Sequence, residues 1–321
     1  MKRIPSKISR IFGAGLASVL LAAGCGGSRW DLAGREALAA PGAAAGKITA
    51  FRQGTVYGFD SASARSIAYD AGHTFRLGKD GQVLLSYNRG RLEAAAPLHL
   101  FPPGTGDEER QSDQSGFYLS PELTAIAYST ARGADGTAPI QALISNDAGR
   151  TWTTNQIDGS QAGSPRFIGF RNSREGWTVT TAFQGMGREE HAVYLTSDGG
   201  RTWRRAPGNM NDVYARVMTG AGFVSRTTGF AGFRYEFADF QPAILQTRDG
   251  GRTWSRLRVK LPGEFSAYGL TPLSPVFFGA EGRYPVLMSR DGASDIVGTL
   301  TLVSHDYGRS WAYDAGRVRW N

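Results

Sequence analysis

The 321-residue chain contains one cysteine, Cys25, and four histidines, at 73, 99, 191 and 305. A single thiol excludes an internal disulfide and a cysteine metal cluster, and the histidines have no metal-ligand spacing. Lysine is scarce beyond Cys25, where only Lys47, Lys79 and Lys260 occur. The basic residues there are mostly isolated arginines. That scatter provides no stripe for nucleic acid. No apolar run reaches the roughly 20 residues that a spanning helix requires. No nucleophile elbow, phosphate loop or dinucleotide fingerprint stands in a strand–helix context. The composition therefore implies no cofactor and no metal.

The first residues have the pattern of a targeting segment. Lys2, Arg3, Lys7 and Arg10 precede the apolar stretch 11–23, and Leu21-Ala22-Ala23-Gly24-Cys25 follows from it. Small residues before a cysteine resemble the lipobox of bacterial lipoproteins. The resemblance implies cleavage after residue 24 and acylation of Cys25, with two or more acyl chains sufficient for stable anchoring. It also implies a cell-envelope location, in the outer membrane of a Gram-negative host because no Asp follows the cysteine. The leader holds four of the basic residues and no acid, so the formal charge of +8 for the whole chain overstates that of the mature protein. Residues 25–46, rich in Gly and Ala, are expected to form a lipidated flexible tether. Residues 47–321 remain for a folded domain, expected to be a monomer.

That domain repeats itself. SNDAGRTW (145–152), TSDGGRTW (196–203), TRDGGRTW (247–254) and SHDYGRSW (304–311) are near copies. Their markers Asp147, Asp198, Asp249 and Asp306 stand 51, 51 and 57 residues apart. A weaker copy, YDAGHTF at 69–75, adds Asp70. A catalytic motif occurs once, whereas a fixed period of this size signals a propeller or solenoid. One period, 166–207, reads as four short strands rich in β-branched and aromatic residues, with no helical periodicity. Four antiparallel strands repeated radially predict an all-β fold, a β-propeller.

Each octapeptide falls between the third and fourth strands of its period. Its Asp can accept from turn N–H groups. Gly199 or Gly200 can take the positive φ such a turn needs, and Gly149, Gly251 and Gly308 stand with Gly200 in the structural boxes. Trp152, Trp203, Trp254 and Trp311 can fill the space between sheets. The motif resembles the Asp-box, or bacterial neuraminidase repeat, of sialidases, sortilin-type receptors and photosystem II stability and assembly factor propellers. That resemblance implies a structural box at the blade edge, remote from any ligand. Counting periods gives six blades, with seven the alternative: 46–78, 80–112, 114–157, 165–207, 215–260 and 272–316.

The loops from second to third strand lie on the opposite face. They hold Arg132, Arg188 with Glu189, Arg234 with Tyr235 and Glu236, and Arg290 with Asp291. Guanidinium forks pair bidentately with carboxylates, so this face is a candidate anion site. The blade pattern of Phe167 or Phe170 through Trp203 is similar to the photosystem II assembly factor group. That similarity implies a non-catalytic propeller binding an envelope protein or glycan. The alternative is a sialidase-like hydrolase, which would require an arginine triad, a Tyr–Glu pair and an Asp. Against it, the sole Arg-Ile-Pro, the motif that supplies one such arginine, is Arg3-Ile4-Pro5 in the leader. Tyr235 and Glu236 are adjacent and would point to opposite sides of a strand.

Overall fold

A computed structural model of the chain describes residues 55–60, 65–67, 72–100, 114–130, 138–159, 163–185, 187–234, 240–290 and 295–321. Cys25 and the leader, the tether, and the weak-box residue Asp70 lie outside these residues.

The expected strands form where β-branched and aromatic residues alternate. β1 (Thr55–Asp60) and β2 (Arg65–Ile67) make a hairpin. β3 (Thr74–Leu77), β4 (Gln82–Tyr87) and β5 (Leu92–His99) make a three-stranded leading sheet. The first boxed blade is β6 (Gln114–Leu119), β7 (Thr124–Ser129), β8 (Ile140–Ser145) and β9 (Thr153–Asp158). The second is β10 (Ser164–Phe170), β11 (Gly176–Gly185), β12 (Arg188–Thr196) and β13 (Arg204–Arg205).

A single helical turn, α1 (Met210–Val213), leads to the third blade. This blade is β14 (Met218–Phe223), β15 (Gly229–Phe233), β16 (Ile244–Thr247) and β17 (Ser255–Arg256). The fourth has β18 (Gly269–Pro272), β19 (Val276–Phe278), β20 (Glu281–Arg290), β21 (Asp295–Ser304) and β22 (Ala312–Tyr313). β23 (Arg319–Trp320) pairs on β21. Pairing is antiparallel throughout, and the fold is an all-β propeller.

The expected division of the N-terminal part is corrected by strand pairing. Residues 46–78 and 80–112 do not each supply a blade. β1 runs along β6 in a six-residue register, from Thr55 opposite Leu119 to Asp60 opposite Gln114. It extends the first boxed blade, while β3 leaves that hairpin and joins β4 and β5. The described residues thus form four boxed blades and one leading sheet.

The core lies between sheets. Because side chains alternate along a strand, each inner strand supplies both of its neighbours. Phe117 of β6 packs with Val83, Leu85 and Tyr87 of the leading sheet, while Tyr118 packs with Ile168 and Phe170 of the second blade. Phe167 turns the other way, toward Ala221, Phe223 and Phe233 of the third blade. Phe230 meets Phe277, Tyr284 and Val286 of the fourth. Each of the four core clusters joins sheets that follow one another in the chain. Among the described residues none joins the fourth blade back to the leading sheet.

The box geometry explains the repeat. In the second blade the Thr196 hydroxyl donates to Asp198 Oδ1 (2.8 Å) and accepts from the Gly200 N–H (2.9 Å). Asp198 also accepts from the Thr202 N–H (3.0 Å) and the Thr202 hydroxyl (2.6 Å). Ser145 with Asp147, Thr247 with Asp249 and Ser304 with Asp306 repeat this arrangement. These bonds favour the ionised carboxylate, and Asp147, Asp198 and Asp306 are held down at about 2. At Asp198 slight burial opposes this, but the bonds from Thr202 and Thr196 prevail.

Two successive residues of each turn have positive φ. Gly149, Gly200, Gly251 and Gly308 occupy the second position, and Ala148, Gly199, Gly250 and Tyr307 the first. Only the second is always glycine, and at three of the four turns a side chain there would also strike the preceding sheet; on Gly251 the nearest atom, Ala206 Cβ, would lie 3.3 Å away. A Cβ on Gly149 would lie 2.7 Å from Ala94 Cβ, and one on Gly308 would lie 2.6 Å from Phe230. On Gly200 it would collide with Ile144. The box tryptophans fill the same seams. Trp203 packs with the first–second cluster, Trp254 with the second–third and Trp311 with the third–fourth, while Trp152 meets the leading-sheet cluster.

Candidate functional site

The register places the loops from second to third strand at the end of each blade away from its box. Arg188 opens β12 opposite Gly185, and Arg290 closes β20 opposite Asp295. Both are exposed. Arg234 follows β15, is half-buried, and donates its backbone N–H to Val217 O at 2.8 Å. The Tyr214 hydroxyl donates to Arg234 O at 3.4 Å. Three arginines thus flank the same loop on successive blades, Arg188 on its third-strand side and Arg234 and Arg290 on its second-strand side. Arg132, Tyr235, Glu236 and Asp291 lie outside the described residues.

Glu189 is not at the rim as expected. Its side chain turns inward and is only 6% exposed. The β12 alternation causes this, since Arg188 and Glu190 point to solvent while Glu189 and His191 point into the seam between second and third blades. There Arg166 Nη1 donates to Glu189 Oε1 at 2.9 Å, and the Met218 N–H donates to Oε2 at 3.0 Å. Burial pushes the Glu189 carboxyl up. The Arg166 charge, His191 and the Met218 N–H outweigh it and hold the group below the usual range.

His191 completes this junction. Asn211 Oδ1, carried by α1, accepts from the His191 backbone N–H at 2.8 Å and lies 3.2 Å from its Nδ1. Asn211 Nδ2 donates back to the His191 carbonyl at 3.1 Å. The His191 ring stands edge-on to Phe233 with centroids 5.3 Å apart. Its Nε2 lies 3.5 Å from Glu189 Oε2 and is buried without a hydrogen-bond partner among the described residues. The interblade segment contributes at the box end as well, because Asn209 Oδ1 accepts the Trp254 N–H at 2.7 Å. Tyr194 makes a comparable tie across the preceding seam, donating its hydroxyl to Asp158.

Arg166, Asn209 and Asn211 escaped the motif search. Arg166 was visible as a lone charge in an otherwise apolar inner strand, Ser164-Pro165-Arg166-Phe167-Ile168. Such a residue must find a buried partner. The asparagines left no periodic signal, since their partners come from other blades. Chemically, the junction is a satisfied ion pair that fixes two blades. Its carboxylate is committed to three neighbours and is not placed to transfer a proton to a substrate. Among the described residues, no group of three or more His, Cys, Asp or Glu converges to hold a metal ion.

No protein-family profile matches the chain, and no curated protein matches it. Solved structures do resemble it in fold. A GH74 enzyme from Niastella koreensis is 11% identical over 78% of this chain, with a TM-score of 0.39. The chain spans 50% of that enzyme's length. A protein of unknown function from Dyadobacter fermentans DSM 18053 is 11% identical, covering 76% of this chain and 92% of that one, with a TM-score of 0.35. The α-L-arabinanase of Cellvibrio cellulosa, solved with arabinohexaose, is 11% identical, covering 83% and 99%, with a TM-score of 0.38. Likeness at this level assigns no residue a role.

Proposed function

We propose that the chain is a lipid-anchored, non-catalytic propeller of the cell envelope that binds a protein or glycan partner on the face opposite its boxes. The observation that carries this reading is the division of labour at Arg188 and Glu189. The arginine faces solvent beside the loop that carries half-buried Arg234 and exposed Arg290 on the next blades, while the carboxylate beside it is withdrawn into an interblade ion pair. Such a rim presents guanidinium donors to an anionic group. Most glycoside hydrolases use two carboxyl groups flanking one bond, less than about 10 Å apart, whereas sialidases use a Tyr nucleophile with a Glu and an Asp. Glu190 and Asp295 are the exposed carboxylates of the described loops, and they stand on the second and fourth blades.

The anchor and the Asp-box resemblance give this propeller its setting. The acylated Cys25 holds it at a membrane surface, and the tether of 25–46 lets the binding face reach a neighbour. The reading is tested by combining Arg188→Gln, Arg234→Gln and Arg290→Gln. Cross-linking in envelope membranes is expected to join the wild type to one defined partner that the triple variant loses. The glycosidase alternative makes a different forecast: turnover of a fluorogenic sialoside or aryl glycoside that disappears in the same variant. That turnover would overturn the non-catalytic reading.

A further inference from the structure

A concavity lies on the box side, in the seam between the second and third blades. It is an open groove of about 460 Å³, within the range of small-ligand sites. Half-buried Trp203 lines it, and Trp177 and Phe223, only 3% and 5% exposed, lie beneath. Arg171, Arg204, Arg226 and Arg252 surround it. Two carboxylates oppose these four arginines, and neither is at liberty. Asp249 is committed to its own turn. Glu175 is shared by Arg171 and Arg226 while also accepting from Asn172 Nδ2 at 2.8 Å. Arg204 and Arg252 pair with no carboxylate among the described residues. Arg171 Nε is buried and has no hydrogen-bond partner there.

We infer that this groove is a binding site for an acidic saccharide, a sugar bearing a carboxylate. The excess of guanidinium forks over carboxylates calls for an anion. The half-buried Trp203 ring suits the apolar face of a pyranose, and the exposed Ser197 hydroxyl suits its hydroxyls. An extended acidic peptide fits less well, because strand addition needs an open edge. The edge strand here, β13, has two residues. The flanking turns have already used their N–H groups, Gly199 on Arg174 O and Gly250 on Thr227 O. The site is independent of whatever occupies the opposite face.

Full-length protein in detergent micelles, titrated calorimetrically with trigalacturonate at low salt, tests this directly. The methyl ester of the same trisaccharide and tetraglutamate serve as comparisons. The acid trisaccharide is expected to bind at least about tenfold more tightly than its ester, and less tightly as salt rises. Arg226→Gln and Arg252→Gln should each weaken it about tenfold. Arg319→Gln, far from the groove, should not. Arg226 is 70% exposed, so its replacement is compatible with folding, and an unchanged unfolding temperature verifies that. Equal binding of acid and ester, tighter binding of tetraglutamate, no binding at millimolar concentration, or indifference to both arginine substitutions would each overturn the inference.

Discussion

Replacing Gly200 by alanine should destabilise the protein far more than replacing Gly199, although both have nearly the same backbone conformation, with φ of +83 and +79. A left-handed φ costs a non-glycine residue about 1–2 kcal/mol. At position 199 that is most of the cost. The new Cβ would lie 3.0 Å from Ser173 O, and the equivalent turns already accept Ala148 and Tyr307. At position 200 the Cβ would also drive into Ile144 in the preceding blade, and forcing a methyl into a packed seam costs about 1–3 kcal/mol more. The expected losses are therefore ~1–2 kcal/mol for Gly199→Ala and ~2–5 kcal/mol for Gly200→Ala. Urea unfolding followed by tryptophan fluorescence measures both, with m-values compared to confirm one transition. Equal losses at the two positions would refute the argument that the second glycine is required by the neighbouring blade.

Further predictions concern charge. Asp147, Asp198 and Asp306 titrate at about 2 when folded and near 3.9 when unfolded. A depressed folded value stabilises above the unfolded pKa, so stability is full above about pH 4 and declines as pH falls toward 2. In Asp198→Asn the decline should be shallower, as read from urea midpoints between pH 2 and 5. Asp198→Ala, which leaves turn donors unpaired, should cost about 1–3 kcal/mol at pH 7 in the same assay. Glu189→Ala breaks the buried ion pair to Arg166 and leaves the Met218 N–H without its acceptor, and should cost about 3–5 kcal/mol. Adding Arg166→Met should recover part of that loss in a double-mutant cycle. Palmitate labelling should vanish in Cys25→Ser, and labelling that persists would remove the anchor.

The boxed part of the fold was legible because its information is local. Each octapeptide carries the turn, the acceptor and the wedge within eight residues, so Asp147, Asp198, Asp249 and Asp306 mark four hairpins without reference to the rest of the chain. The leading Ser or Thr of each box was less evident. Its hydroxyl both donates to the Asp and accepts the glycine N–H, and that dual role emerges only in three dimensions. The N-terminal division failed for the opposite reason. β1 finds its partner in β6, more than fifty residues away, and no local pattern distinguishes that pairing from a blade of its own. Glu189 was misjudged by proximity. A hairpin mouth looks solvent-facing, but alternation sends every second side chain inward, and Arg166 was waiting there.

The central claim is that one hydroxyl and one carboxylate fold each repeated motif into a turn that seats its glycine and tryptophan against the preceding sheet. Amide hydrogen exchange resolved at Gly149, Gly200, Gly251 and Gly308 tests it most directly. All four N–H groups, bonded to a Ser or Thr hydroxyl, should exchange slowly, and Thr196→Val should accelerate Gly200 by at least tenfold while leaving Gly251 slow. Fast exchange at these glycines in the wild type, or no response of Gly200 to the lost hydroxyl, would contradict the account.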